Sequence, residues 1–215
     1  MFALNILHMA FAVGLTSAIL CLSEYIWRHR EVHVEIARKF VHVTIGTFVA
    51  FWPLFLTWNE IRVLSVAFIV VVALSSYFNI FRAIHAVERP TFGEYLFAAS
   101  VGLVTIITQD PAIYAAAILQ MSLADGMAAI VGTIYGKSNF YTVMGQRKSV
   151  IGTLAFLAVS LVILASYVAI NGLAVPGLYL VLLAIAAAVI ENVSVRGLDN
   201  LLVPIIVAVT LTSLR

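Results

Sequence analysis

Charge is scarce in this sequence. Lys, Arg, Asp and Glu make up 10% of its 215 residues, hydrophobic residues make up 63%, and the mean hydropathy is +1.10. A soluble domain carries about 25% charged residues, so the deficit excludes an ordinary water-soluble fold and points to a chain solvated by lipid. Cysteine is nearly absent: the single thiol, Cys21, rules out an intrachain disulfide and reads as a packing residue in an apolar segment. The N-terminal MFALNILHMA has no basic stretch ahead of its apolar run, so no cleaved signal peptide is expected and the segment reads as a retained span. Low-complexity linkers and internal repeats are also missing, which predicts one integral membrane domain over residues 1–215. His8, His29, His33 and His85 stand at no metal-ligand spacing.

What fills the chain is a series of apolar runs. A spanning helix needs roughly 20 residues, which predicts an all-α, polytopic transmembrane bundle of about eight spans, with seven as the alternative. The expected spans cover about 2–27, 37–58, 61–81, 95–108, 111–135, 151–170, 176–191 and 200–213. Trp52 and Trp58 suit a membrane interface at the end of the second span. Asp110-Pro111 opens the fifth, Asn171-Gly172 marks a turn, and Pro204 lies inside the last. Ten of the twelve basic residues fall on one side: Arg28, Arg30, Arg38, Lys39, Arg82, Arg89, Lys137, Arg147, Lys148 and Arg196. Arg62 and Arg215 fall on the other. Cytoplasmic loops carry the excess of Lys and Arg, which predicts a site facing the cytoplasm and both termini on the non-cytoplasmic side.

Against so few charges, those inside apolar runs stand out. Asp125 sits roughly 15 Å below the end of its predicted helix, and an ionisable group at such depth marks function by default. Hard oxygen ligands suit magnesium, so Asp125 is a candidate metal ligand or general base. Ser122, Ala129, Gly132 and Gly136 line one small-residue face of the same helix, the pattern of a close helix contact. The stretch beyond is basic and glycine-rich. Gly136-Lys137-Ser138 resembles the end of a phosphate-binding P-loop, but the position that needs glycine is Val131 and the preceding element is no strand. The chemistry survives without that motif, because exposed backbone N–H groups and lysines hold phosphate. Lys148-Ser149 ahead of the sixth span places an anion near a helix N-terminus. Arg38 and His42 are i, i+4 neighbours with Lys39 beside them, while Glu35 is available to pair with Arg38 or Lys39. Glu191, Asp199 and Asn200 bracket the last turn, either as a metal shell or as caps of the final helix.

In this order, the segments ARKFVHVTIG, RPTFGEYLF, LADGMAAIVGTIYGK, KSVIGTLAF and IENVSVRGLDNLLVP resemble the polyprenol kinase family, which includes dolichol kinases, phytol kinases and CTP-dependent diacylglycerol kinases. The resemblance runs from about Ala37 to Pro204. It implies transfer of the γ-phosphate of CTP, or another nucleotide, to a lipid alcohol, with Mg²⁺ as cofactor and no nucleic acid as partner. It matches Arg38, Lys39 and His42 to a basic-histidine motif and Asp125 to a central acid. It matches Lys137, Lys148, Ser149 and Gly152 to the nucleotide loop, and Glu191, Asp199, Asn200 and Pro204 to the last motif. One departure is Ile151, where many relatives, dolichol kinases especially, carry Glu before the glycine. A CTP-using cytidylyltransferase acting on a lipid phosphate would employ similar groups. A small transporter with Asp125 as its ion site is the alternative outside enzymology.

Overall fold

The computed structural model describes residues 2–29, 34–78 and 92–215. The helices are α1 (Phe2–His29), α2 (Val34–Ala50), α3 (Trp58–Phe78), α4 (Gly93–Ile107), α5 (Pro111–Leu119), α6 (Asp125–Tyr135), α7 (Val150–Ile170), α8 (Gly177–Val193) and α9 (Asp199–Ser213). A π-helical turn, Gln120–Ala124, joins α5 to α6 and makes them one continuous rod. Between α6 and α7 the basic loop is a hairpin of β1 (Phe140–Val143) and β2 (Gln146–Ser149). Met144 and Gly145 both adopt positive φ, 50° and 74°, the primed-turn geometry that matches the twist of a tight hairpin.

Local chemistry sets the helix ends. Asp110 caps α5 by accepting from Ala112 N at 2.7 Å and Ile113 N at 3.2 Å, with Pro111 in the first turn. Ser149 caps α7 by accepting from Gly152 N at 3.1 Å. The second expected span, 37–58, is shorter in the structure. Pro53 lacks an N–H and disfavours helix at the residue before it, so α2 stops at Ala50, a 3₁₀ turn covers Trp52–Leu54, and α3 starts at Trp58. Trp52, expected at an interface, is buried in the core, and Cys21, expected to pack inside, faces outward. At the head of α9, Leu198 is the cap residue and neither Asp199 nor Asn200 caps by its side chain.

The rod α5–α6 is central, packed against α2, α7 and α9, while α3 lies on α4 and α1 flanks α2. Ile113, Tyr114, Ile118 and Met121 on the rod are almost wholly buried. Glycines let these backbones approach closely. A Cβ at Gly46 would lie 2.1 Å from Ser122 Cβ, and one at Gly126 would lie 2.1 Å from Val43 Cγ2. The helices alternate in direction, so chain turns gather at two ends. At one end Arg62 donates to Thr105 and Arg215 ion-pairs with Asp110. At the other lie the start of α2, the hairpin and the α8–α9 turn, where Phe92 N donates to Arg196 O at 3.0 Å. Arg30, Arg82 and Arg89 lie outside the described residues.

Among the described residues, four helical segments are long and apolar enough to cross a membrane: Asn5–Ile26, Trp58–Phe78, Pro111–Ser138 and Val150–Ile170. Gly93–Ile107, Gly177–Val193 and Asp199–Ser213 are apolar but shorter. Replacing Gly46 by Ala is expected to wedge α2 from the rod and cost about 1–3 kcal/mol. The check is thermal unfolding of the purified protein in detergent, with Gly14→Ala, where nothing lies within 4 Å, expected to show no loss.

Candidate active site

Asp125 follows the π turn directly, at the start of α6 and inside the bundle. Lys39 Nζ donates to Asp125 Oδ2 at 2.5 Å, and both residues are buried, at 8% and 5% exposure. His42 Nε2 lies 3.7 Å from the same oxygen. That nitrogen also contacts Met121 O in the π turn at 3.1 Å, and since a carbonyl only accepts, Nε2 carries the proton. The His42 ring meets Phe97 edge-on at 5.2 Å. Lys39 and His42, three residues apart, share the face of α2 that meets the rod. The pair that engages the acid is therefore Lys39–His42 rather than the i, i+4 pair Arg38–His42. Arg38 is half-buried, and its charge reaches His42. Gly126 keeps α2 close enough for this contact, since its missing side chain faces Val43 and the Lys39 carbonyl.

A second buried pair forms beside the first. Lys148 Nζ on β2 donates to Glu191 Oε1 at 2.5 Å and to the Glu191 carbonyl at 3.1 Å. Burial disfavours the ammonium, but the adjoining carboxylate outweighs that loss and holds Lys148 above the usual lysine range. Ser149 is wedged where the hairpin meets α6 and α7. Cβ atoms at Gly132, Gly136 and Gly152 would lie 2.8, 2.5 and 2.9 Å from its Oγ. These glycines give close packing at the junction, and the Gly152 N–H is already used by Ser149. Lys137 is exposed in the 3₁₀ turn Gly136–Ser138 and joins no ion pair among the described residues.

The two pairs belong to one electrostatic unit. Asp125 acts on Glu191 and Asp199, and Lys39 and Lys148 both act on Asp199. Asn200 donates to Gly93 O at 3.0 Å, tying α9 to α4, and its Oδ1 is buried without a partner among the described residues. No group of three His, Cys, Asp or Glu residues among those described is gathered at ligand distance. Magnesium does not need such a cage, because it keeps waters and uses one or two carboxylates with substrate phosphates. Carboxylate oxygens at Asp125, Glu191 and Asp199, which act on one another electrostatically, fit that donor chemistry.

Sequence reasoning found Lys39, His42, Asp125, Lys148 and Glu191 but missed the residues that seat the hairpin. Tyr141 Oη donates to Asn192 Oδ1 and lies 2.5 Å from Thr153 Oγ1. The available signal was slight: Gly145 marks a turn inside the basic segment, and Asn192 is a polar residue beside Glu191 in an apolar helix. The π turn had no such signal, since QMSLA reads as helix like its neighbours.

Fold and site together define a helical membrane protein with a cluster of paired lysines and carboxylates at one end. Over 206 residues the chain is 32% identical to the phytol kinase of Synechocystis sp. (strain ATCC 27184 / PCC 6803 / Kazusa), covering 90% of this chain and 87% of that protein. The chain belongs to the polyprenol/phytol kinase family of membrane lipid kinases. No family model matches it, and no solved structure does.

Removing one partner of a buried ion pair leaves a bare charge and costs about 3–5 kcal/mol. Lys39→Met is therefore expected to be strongly destabilising, and adding Asp125→Asn is expected to restore much of the loss. Denaturant unfolding of the single and double variants checks this.

Proposed function

We propose that this chain transfers the γ-phosphate of CTP to the hydroxyl of a lipid alcohol of the polyprenol, phytol or diacylglycerol class at the cytoplasmic membrane face. One observation carries the reading: two buried lysine–carboxylate pairs share one end of the bundle, beside a basic hairpin. Phosphoryl transfer needs cations for the phosphates and a base for the attacking hydroxyl, and these pairs supply both. The basic side of the bundle fits the cytoplasm, where nucleotide is available, and the full set of spans would then leave both termini outside.

In the resting site each lysine is held by a carboxylate. Phosphate oxygens draw Lys148 and Lys39 away from Glu191 and Asp125, with Lys137, Arg38 and the Ser149–Gly152 helix start adding positive potential. The freed Asp125 accepts the proton of the lipid hydroxyl. That oxygen forms a bond to the γ-phosphorus as the bond to the β–γ bridging oxygen breaks, and CDP leaves. His42, donating to the Met121 carbonyl, fixes the wall against which Asp125 turns. Magnesium, held by Glu191 and Asp199 with Asn200 and in reach of Asp125, would neutralise charge on the transferring phosphates. Rate enhancement then comes mainly from positioning and charge stabilisation.

Asp125→Asn bares Lys39 and so lowers stability, and in the protein that remains folded in detergent it is expected to lower transfer by at least about a hundredfold. The assay uses γ-labelled CTP with polyprenol, phytol and diacylglycerol, the products being separated by chromatography. Label in the lipid supports the kinase. Release of pyrophosphate with no label in the lipid would replace it with a cytidylyltransferase, and full activity in the Asn variant would remove Asp125 from the chemistry.

A further inference from the structure

Lys148 has two jobs that conflict. Its bond to Glu191 helps hold the hairpin on α8, yet under the proposed reaction it must leave Glu191 for a phosphate. A hairpin seated by that pair alone would come loose as nucleotide binds. A second attachment is therefore needed, one whose strength does not depend on charge.

The hairpin register supplies it. Tyr141 is the cross-strand partner of Lys148, so the two side chains leave the same face of the hairpin side by side. They reach consecutive residues at the end of α8: Lys148 meets Glu191 and Tyr141 meets Asn192. The proton inventory at Tyr141 closes. Its hydroxyl donates to Asn192 Oδ1, which leaves the phenolic oxygen to accept from Thr153 Oγ1. The Asn192 amide is oriented by its own donation from Nδ2 to Ala188 O at 2.8 Å, so Oδ1 faces the hairpin. One hydroxyl thus joins β1 to α7 through Thr153 and to α8 through Asn192, with no ionised group among the three.

We infer that Tyr141, Thr153 and Asn192 form a neutral latch that keeps the hairpin seated while Lys148 changes partner, and that Tyr141 is a positioning residue for nucleotide binding. The inference rests on the proposed nucleotide role of Lys148. Tyr141 touches no reacting atom; it sets where the Lys148 ammonium waits and where it returns.

The test separates the latch from the kinase reading by using two readouts. Hydrogen exchange at the hairpin amides of residues 140–149 needs no nucleotide. Glu191→Gln alone removes the counter-charge of Lys148 and is expected to lower the protection of these amides only in part, because the latch still holds. Tyr141→Phe together with Glu191→Gln is expected to speed their exchange by roughly a further 5- to 10-fold, the effect of losing one hydrogen bond. Equal protection in the single and double variants would overturn the latch, whatever the enzyme does. In the second readout, Tyr141→Phe alone is expected to raise KM for CTP about 5- to 10-fold with kcat within about twofold. Thr153→Val should reproduce that split, and Thr153→Ser, which keeps the hydroxyl, should behave as wild type. A fall in kcat with unchanged KM would overturn the positioning role. Absence of CTP turnover in the wild-type protein would overturn the nucleotide reading while leaving the exchange result to judge the latch.

Discussion

A carboxylate cannot stay ionised inside a helical bundle unless a cation meets it, and the organisation of this protein follows from that constraint. Taking a carboxylate and an ammonium out of water costs several kcal/mol per ion, and the loss is recovered only with close geometry and further hydrogen bonds. Asp125 obtains this from Lys39, and Glu191 from Lys148. Each pair joins elements far apart in sequence: α2 to the central rod, and the hairpin to α8. The charges that serve the site thus also specify which elements meet at this end of the bundle. Apolar packing alone would leave that choice weakly determined in lipid, where every helix is greasy.

Backbone proximity makes the pairing possible. A lysine stem reaches only a few ångströms from its helix, so α2 must lie nearly against the rod. Gly46 opposite Ser122 and Gly126 opposite Val43 permit that approach. The π turn ahead of Asp125 contributes in a different way. Such turns insert extra backbone into a helix and recur at functional sites. Here the turn brings the Met121 carbonyl to His42 and the Asp125 carboxylate to Lys39. At the opposite end of the bundle the polar groups act as caps and ties, such as Asp110 for α5 and Arg62 for Thr105.

Much of this was legible in the residues, and the remainder was hidden for identifiable reasons. Helix positions followed from apolar runs and from Pro111, Asn171-Gly172 and Pro204, because these act locally. Lys39, His42, Asp125, Lys148 and Glu191 stood out because charge is rare here, which made each one conspicuous. Their pairing was not legible: Glu35 is nearer to Lys39 in sequence than Asp125, and the Lys39–Asp125 contact depends on the tertiary approach across Gly126. Gly132 and Gly136 carried two readings, a close-contact face and part of a phosphate-binding loop, and together with Gly152 they crowd around Ser149. Sequence cannot separate a glycine needed for an exposed N–H from one needed for close packing. The loop's strand structure was missed because four-residue strands carry little periodicity, and attention went to its charges.

The charge balance of the cluster bears on how the proposed substrate would enter. Asp125, Glu191 and Asp199 carry three negative charges when ionised, against two positive charges on Lys39 and Lys148, with Arg38 as a further cation at the edge. A cluster so close to neutral has no large positive surplus with which to attract a nucleoside triphosphate. Drawing the lysines onto phosphate would leave Asp125 and Glu191 bare in a medium where bare charge is costly. Under the proposed reaction, a cation entering with the nucleotide would remove that difficulty, because the carboxylates that give up their lysines would be free to hold it. Proton transfer from the lipid hydroxyl to Asp125 would neutralise one more. In that sequence neither Asp125 nor Glu191 would be left both buried and unpaired, and the ion pairs of the resting site would act as placeholders for the ligands of the working one.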